Sequence, residues 1–198
     1  MIFFHRATGV PERLAILPGT FNPVTVAHLG LARASLSLVD EVVFVLPQVL
    51  PHKIYLGASF DQRIAMLREA VAGGGRFSVA ASSGGLFLEI VRECRQDYPA
   101  TAAFDLLCGR DAAERAMDWD YADAGTVARM LGEFHLLVAG RQGVYRPPPE
   151  WAGAIRHLEL PADFELVSAT EVRERIARGE PWEHLVPAAI HERVRRIY

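Results

Sequence analysis

The sequence predicts an α/β fold: a doubly wound, mostly parallel sheet with helices on both faces and additional helices at the C-terminal end. Three observations carry this reading. Short apolar runs alternate with segments of helical period from residue 14 to about residue 140, the pattern of repeated strand-helix-strand units. The runs are apolar at consecutive positions, as strands covered on both faces are. Four of the loops that follow them carry Gly or Pro beside a charged or polar residue, and open α/β sheets bind ligands outside the carboxyl ends of their strands.

The elements follow in order. Residues 14–17 are a short apolar run that fits a buried parallel strand, and 27–38 carry Leu29, Ala32 and Leu36, with Val39 just beyond, at helical spacing. Residues 41–46 (EVVFVL) form the next strand, closed by Pro47. Ser59 and Gln62 read as a capping box opening a helix through Ile64, Leu67 and Val71, which the run Gly73-Gly74-Gly75 stops. Residues 77–81 are a third strand and 86–95 a helix. Residues 104–107 are a fourth strand leading to the loop Cys108-Gly109-Arg110-Asp111, 135–139 a fifth ending at Gly140-Arg141, and 155–160 a sixth. The prolines 147–149 make a stiff connection, after which helices are expected near 170–177 and 187–197. With 198 residues, 51% of them hydrophobic, the chain suits one domain, residues 1–198, divided into an α/β core (13–140) and a C-terminal part (150–198).

Composition narrows the function. A net charge of −3 and a pI near 6.2 argue against a general surface for nucleic-acid polymers, which needs a basic patch. Cys94 and Cys108 form no metal-like cluster and no disulfide framework, so a reducing cytoplasm is expected. Residues 14–32 contain no Asp, Glu, Lys or Arg, but their Gly, Pro, Asn, Thr and His residues and their change of period read as strand, loop and helix, not as a membrane span. Of 21 basic residues the only lysine is Lys53.

The loop from Gly19 to Thr25 joins the first strand to the first helix. Backbone N–H groups in a glycine turn and at a helix N-terminus form an anion site. Thr20 and Thr25 add hydroxyls, and His28 falls in the first helical turn. Each residue alone has an ordinary reading: Thr25 as a plain N-cap, His28 as a surface side chain, Gly-Thr and Asn-Pro as turn formers. Their joint occurrence points to phosphate. Neither GxxxxGK[ST] nor GxGxxG follows the strand, so the two common phosphate loops are absent. Near the other end, Ser168 and Glu171 form an S-x-x-E capping box, and Gly179 with Pro181 fits a helix stop. A helix starting at Ser168 or Thr170 puts Arg173 in its first turn. A cation there costs up to ~1 kcal/mol, which a bound anion would reverse or Glu171 and Glu174 would partly offset.

GTFNPVTVAHL (residues 19–29) resembles the G-[ST]-F-[DN]-P-x-[HT]-x-G-H-L motif of the nucleotidylyltransferase superfamily, with Gly19, Thr20, Phe21, Asn22, Pro23, Thr25 and His28 matching and Ala27 in place of the glycine. VSATEVR (167–173) is similar to that family's I-S-S-T-x-[IV]-R, with Ser168, Thr170 and Arg173 matching and Ala169 in place of the second serine. The final LVPAAIHERVRRIY resembles the closing L-V-P-x-x-V-x-x-Y-I element. Other segments look like nicotinate-nucleotide adenylyltransferases: LPHK (50–53) resembles P-P-H-K, QRIAML (62–67) an R-x-x-M helix, CGRD (108–111) a G-x-D loop, and Trp119 a ring-covering tryptophan. The loop Ser82-Ser83-Gly84-Gly85-Leu86-Phe87 departs from the family's S-Y-T-x-D-T-L, losing tyrosine, threonine and aspartate.

The resemblance implies a Rossmann-like nucleotidylyltransferase fold and an enzyme that transfers AMP from ATP, with Mg²⁺, to nicotinate or nicotinamide mononucleotide in NAD biosynthesis. It implies ATP contacts at Gly19, Thr20, Phe21, Asn22, Gly109, Asp111, Ser168 and Thr170, and catalytic roles for His28, Arg173 and Thr25. Acceptor contacts would fall at Lys53, Trp119, Ser83, Gly84 and Gly85. Lys53 is a compact charge suited to a phosphate, and Trp119 suits either stacking on a flat ring or anchoring a loop. No resident metal ligand, membrane or nucleic-acid partner is expected, and a homo-oligomer is compatible with the reading. Two alternatives stay open. Thr25 is shared with a phosphopantetheine branch of related adenylyl- and cytidylyltransferases, and the departures at 27, 84–87 and 169 suit a catalytically weak nucleotide-binding relative.

Overall fold

A computed structural model describes residues 1–49, 57–119, 121, 123, 125–140, 145–160, 164 and 166–198. Its strands are β1 (Ile2–His5), β2 (Arg13–Pro18), β3 (Glu41–Pro47), β4 (Phe77–Ser82), β5 (Ala103–Gly109), β6 (His135–Ala139) and β7 (Ile155–Leu158). They form one sheet in the order β1-β4-β3-β2-β5-β6-β7. Every neighbouring pair is parallel except β1 with β4. The helices are α1 (Val26–Ser35), α2 (Phe60–Val71), α3 (Phe87–Arg95), α4 (Arg110–Asp118), α5 (Thr126–Glu133), α6 (Ala169–Arg178) and α7 (His191–Ile197). The doubly wound α/β architecture is therefore the one the sequence predicts.

Alternate strand residues feed two cores. Ala15, Leu17, Phe44 and Leu46 face α1, α2, α6 and α7 through Leu29, Ile64, Val172 and Val194. Leu14, Ile16, Val43 and Val45 face α3, α4 and α5 through Ile90, Ala113 and Met130. Because both faces are covered, β3 is buried at every position, and this is why it reads as a continuous apolar run after Glu41, whose carboxylate accepts from Ser78 and Tyr98.

The capping box at Ser59 forms with both halves: Gln62 N–H donates to Ser59 Oγ at 3.2 Å and Ser59 N–H to Gln62 Oε1 at 2.7 Å. The one expected at Ser168 differs. Glu171 N–H donates to Ser168 Oγ at 3.0 Å, but the Glu171 carboxylate accepts from Arg175 Nε at 2.6 Å instead of turning back. With Ser168 as the N-cap, Arg173 is the fifth helical residue and lies past the first turn. Residues 110–111 are not a loop, since α4 begins at Arg110 with Gly109 as its N-cap. Three elements go beyond the sequence reading: the edge strand β1 and the short helices α4 and α5. β7 joins the same sheet as the strands before it, so the C-terminal part is built into the α/β layer. Among the described residues no helix is long and apolar enough to cross a membrane.

Candidate functional site

The strand order reverses between β2 and β5: β2, β3 and β4 step one way across the sheet, β5, β6 and β7 the other. Such a switch point opens a crevice at the carboxyl ends of the two central strands. Ile16 pairs with Leu106, so Gly19 and Gly109 each stand three residues past that pair, on either side of the crevice.

The loop after β2 folds over its own phenyl ring. Phe21 has φ 46°, a left-handed conformation that costs a non-glycine residue about 1 kcal/mol or more. Its ring is buried, 5.1 Å from His28 and 5.8 Å from Phe44 between centroids. A Cβ on Gly19 would stand 2.9 Å from this ring, so glycine is needed there for close approach. The Asn22-Pro23 peptide is cis.

Three distant segments hold the loop. Arg63 of α2, 6% exposed, donates from Nη1 to the Thr20 carbonyl at 3.1 Å. The buried Asn22 accepts at Oδ1 from Ala58 N–H at 3.2 Å and from the Tyr198 hydroxyl. Arg173 donates from Nη1 to the Asn22 carbonyl at 2.6 Å and to Ala169 O at 3.0 Å, and from Nη2 to Thr170 Oγ1 at 3.3 Å. The Arg173 contact brings the two phosphate-like segments of the sequence, 19–28 and 168–173, to one place.

Thr25 is the N-cap of α1 and is 0% exposed. Its N–H donates to His28 Nδ1 at 3.0 Å, its Oγ1 lies 2.8 Å from the same nitrogen, and His28 N–H donates to Oγ1 at 3.4 Å. This is a capping box in which histidine takes the place usually held by Glu or Gln. His28 itself is half-buried.

Across the crevice, Asp111 is exposed in the first turn of α4, and Trp119, half-buried, is the residue at the C-cap of that helix. On the β4 side, the Ser83–Gly85 loop has its amides engaged internally. Ser83 N–H donates to Glu93 Oε2 at 3.0 Å, and Gly84 N–H to Ser82 Oγ at 3.2 Å. Gly85 and Leu86 N–H both donate to Glu89 Oε2 at 3.0 Å. Burial pushes the Glu93 carboxyl up, but hydrogen bonds from Ser82 and Ser83 and the nearby Met1 ammonium outweigh it and hold the group below its ordinary value. Lys53 and the rest of 50–53 lie outside the described residues.

The structure thus brings together Gly19, Thr20, Phe21, Asn22, Thr25, His28 and Arg173, with Ser168 and Thr170 on the same helix start as Arg173. Gly109, Asp111 and Trp119 follow the adjacent strand, and Ser83–Gly85 follow the strand two places away on the other side. Arg63, Tyr198, Glu89 and Glu93 were missed by sequence reasoning. Arg63 and Tyr198 sit inside quoted motifs, which was the available signal; nothing marked the glutamates. Among the described residues no three His, Cys, Asp or Glu side chains gather as a metal site.

The cytidylyltransferase-like family model matches residues 16–175. The chain is 31% identical to a probable nicotinate-nucleotide adenylyltransferase of Gloeobacter violaceus, across 90% of this chain and 91% of that protein. It is 32% identical to a protein of the same description from Bordetella avium, across 90% and 93%, and 29% identical to one from Moorella thermoacetica, across 93% and 90%.

Proposed function

The chain belongs to the cytidylyltransferase-like family, and on that premise we propose that it transfers AMP from ATP to nicotinate or nicotinamide mononucleotide, releasing pyrophosphate, as an adenylyltransferase of NAD biosynthesis. The observation that carries this reading is the Arg173–Asn22 contact, which joins a glycine turn, two helix starts, an imidazole and a guanidinium at the switch point of the sheet. That donor set suits a polyphosphate.

The acceptor phosphate attacks the α-phosphorus of ATP in line, and the bridging oxygen leaves with pyrophosphate. The nucleophile is already an anion, so no general base is needed and catalysis is positioning and charge stabilisation. We assign His28 and Arg173 to the charge that builds on the phosphates. Thr20, Ser168 and Thr170 are phosphate donors beside the Gly19–Asn22 backbone. Thr25 has no exposed surface, so we place it behind the His28 ring instead of among the donors. Gly109 and Asp111 take the ATP ribose side, and Lys53, Trp119 and the Ser83–Gly85 loop the acceptor. Segments 19–28 and 168–173 supply hydroxyls, amides, an imidazole and a guanidinium, with Glu171 already paired to Arg175. Mg²⁺ suits this site as part of the MgATP substrate, held by phosphate oxygens and water and neutralising the pyrophosphate as it leaves. We place the protein in the cytoplasm, where the free Cys94 and Cys108 thiols are at home.

The test is pyrophosphate release with ATP or CTP against a panel of phosphorylated acceptors, including both pyridine mononucleotides and phosphopantetheine. Release only with a pyridine mononucleotide and ATP supports the proposal. Release with another pair transfers the chain to the phosphopantetheine or cytidylyl branch, and ATP binding without release leaves a nucleotide-binding relative.

A further inference from the structure

We infer that Thr25 is a positioning residue that decides which ring nitrogen of His28 carries the proton, so that the histidine presents Nε2–H as its donor. The inference extends the assignment of His28 to the nucleotide phosphates; the tautomer itself is argued from geometry alone.

A backbone amide can only donate. The Thr25 N–H is directed at His28 Nδ1 at 3.0 Å, so a proton on Nδ1 would set donor against donor. Nδ1 is therefore an acceptor, and a neutral imidazole with an accepting Nδ1 carries its hydrogen on Nε2. The Thr25 hydroxyl adds to this. Its oxygen accepts from His28 N–H and lies 2.8 Å from Nδ1, which leaves the hydroxyl proton to point at the ring nitrogen. Thr25 is 0% exposed, so water does not compete for either bond. Ring rotation is restrained as well: the Phe21 ring stands edge-on to the imidazole, 5.1 Å away at an interplanar angle of 71°. A flipped ring would lose both bonds to Nδ1.

The consequence is chemical. A phosphate oxygen needs a donor, and only the Nε2–H tautomer offers one on the side of the ring away from Thr25. A side chain of the right shape without a hydroxyl would lose both the cap on His28 N–H and the second contact at Nδ1, leaving only the residue 25 amide to hold the ring, so the choice of tautomer would loosen.

Two-bond ¹H–¹⁵N spectra of uniformly labelled protein, with the His28 signals assigned by their loss in His28→Gln, read the tautomer directly. The expected result is an unprotonated Nδ1 and a protonated Nε2 in the protein without ligand. A proton on Nδ1, or an even mixture of tautomers, overturns the inference, and it does so whether or not any acceptor is turned over. Thr25→Val is expected to broaden or mix the His28 ring signals and lower kcat by about tenfold, the scale of one hydrogen bond, while the ATP KM stays within about twofold; Thr25→Ser should recover most of that loss. A Thr25→Val protein with unchanged ring signals and unchanged kcat would show that the hydroxyl has no such role. A loss of ATP affinity with kcat intact would make Thr25 a direct phosphate contact. If no acceptor supports pyrophosphate release, the functional reading fails while the spectra still decide the tautomer.

Discussion

At the scale of single residues, the site depends on side chains whose freedom has been removed. His28 is fixed by Thr25 on one edge and by Phe21 against its ring, so in the role we propose its donor would need no reorganisation when charge develops. Loss of such a preorganised donor costs about 10²- to 10³-fold in rate. His28→Ala is therefore expected to lower kcat by roughly 10²-fold or more, with a smaller change in ATP affinity, in steady-state kinetics. Near-normal turnover would remove His28 from the chemistry. Lys53 poses the complementary case. In the role we propose for it, a point charge on the acceptor phosphate, its replacement by alanine is expected to raise the acceptor KM far more than the ATP KM. An effect confined to ATP would move the lysine to the other half of the site. The first loop was legible residue by residue because its chemistry demands particular types at fixed spacing. Its supports were not. Arg63 reaches Thr20 across 43 positions and Tyr198 reaches Asn22 across 176, and a side chain donating to a remote carbonyl or carboxamide leaves no local pattern.

At the scale of elements, the strands covered on both faces were legible for a physical reason: continuous apolar runs bounded by Gly and Pro have few other uses. The elements that escaped lack that signature. α4 and α5 are only nine and eight residues long, and α4 buries nothing larger than Ala113 and Ala116. β1 has four residues and pairs antiparallel at the sheet edge. The loop from β4 to α3 is where we propose that the acceptor is read. The family's side-chain donors are missing there, and the amides from Ser83 to Leu86 are satisfied by Ser82, Glu89 and Glu93. A site that leaves no buried group unpaired by the wrong ligand discriminates poorly. With the acceptor at this loop, as we propose, the Glu89 carboxylate, already held by the Gly85 and Leu86 amides, would only modestly disfavour a ring carboxylate. The protein is thus expected to use both nicotinate and nicotinamide mononucleotides, with kcat/KM values within about 2 kcal/mol, roughly 30-fold. Glu89→Gln keeps the capping geometry and should shift the ratio toward nicotinate. A preference above a thousandfold for either acceptor would show that the loop still reads the ring.

At the scale of the whole molecule, the site ties sequence-distant parts together through Arg63, Arg173 and Tyr198. β5 and its neighbours carry Cys108 in one core, and α3 places Cys94 in the same core. Burial pushes the Cys108 thiol up to about 12, and it is the main cause that lifts Cys94 further still. Neither is a nucleophile in the folded protein at neutral pH, since reactivity follows the thiolate, and each reacts only when its surroundings open. We read residues 1–198 as a single domain, and this makes the two thiols a paired test. A ligand that binds only the folded state slows opening-limited modification by the factor 1 + [L]/Kd, about 100-fold at 100 times Kd, or about 2.7 kcal/mol. MgATP at that concentration is therefore expected to slow alkylation of Cys94 and Cys108 equally, as followed by mass spectrometry of each cysteine peptide. The bridge from Arg173 to Asn22 is what would carry the protection from the first loop to α6 and the sheet, so Arg173→Ala should reduce it for both thiols together. Protection of Cys108 with Cys94 still reacting at its original rate would show that α3 opens on its own. It would divide the chain into at least two units of independent stability, only one of them gripped by the nucleotide.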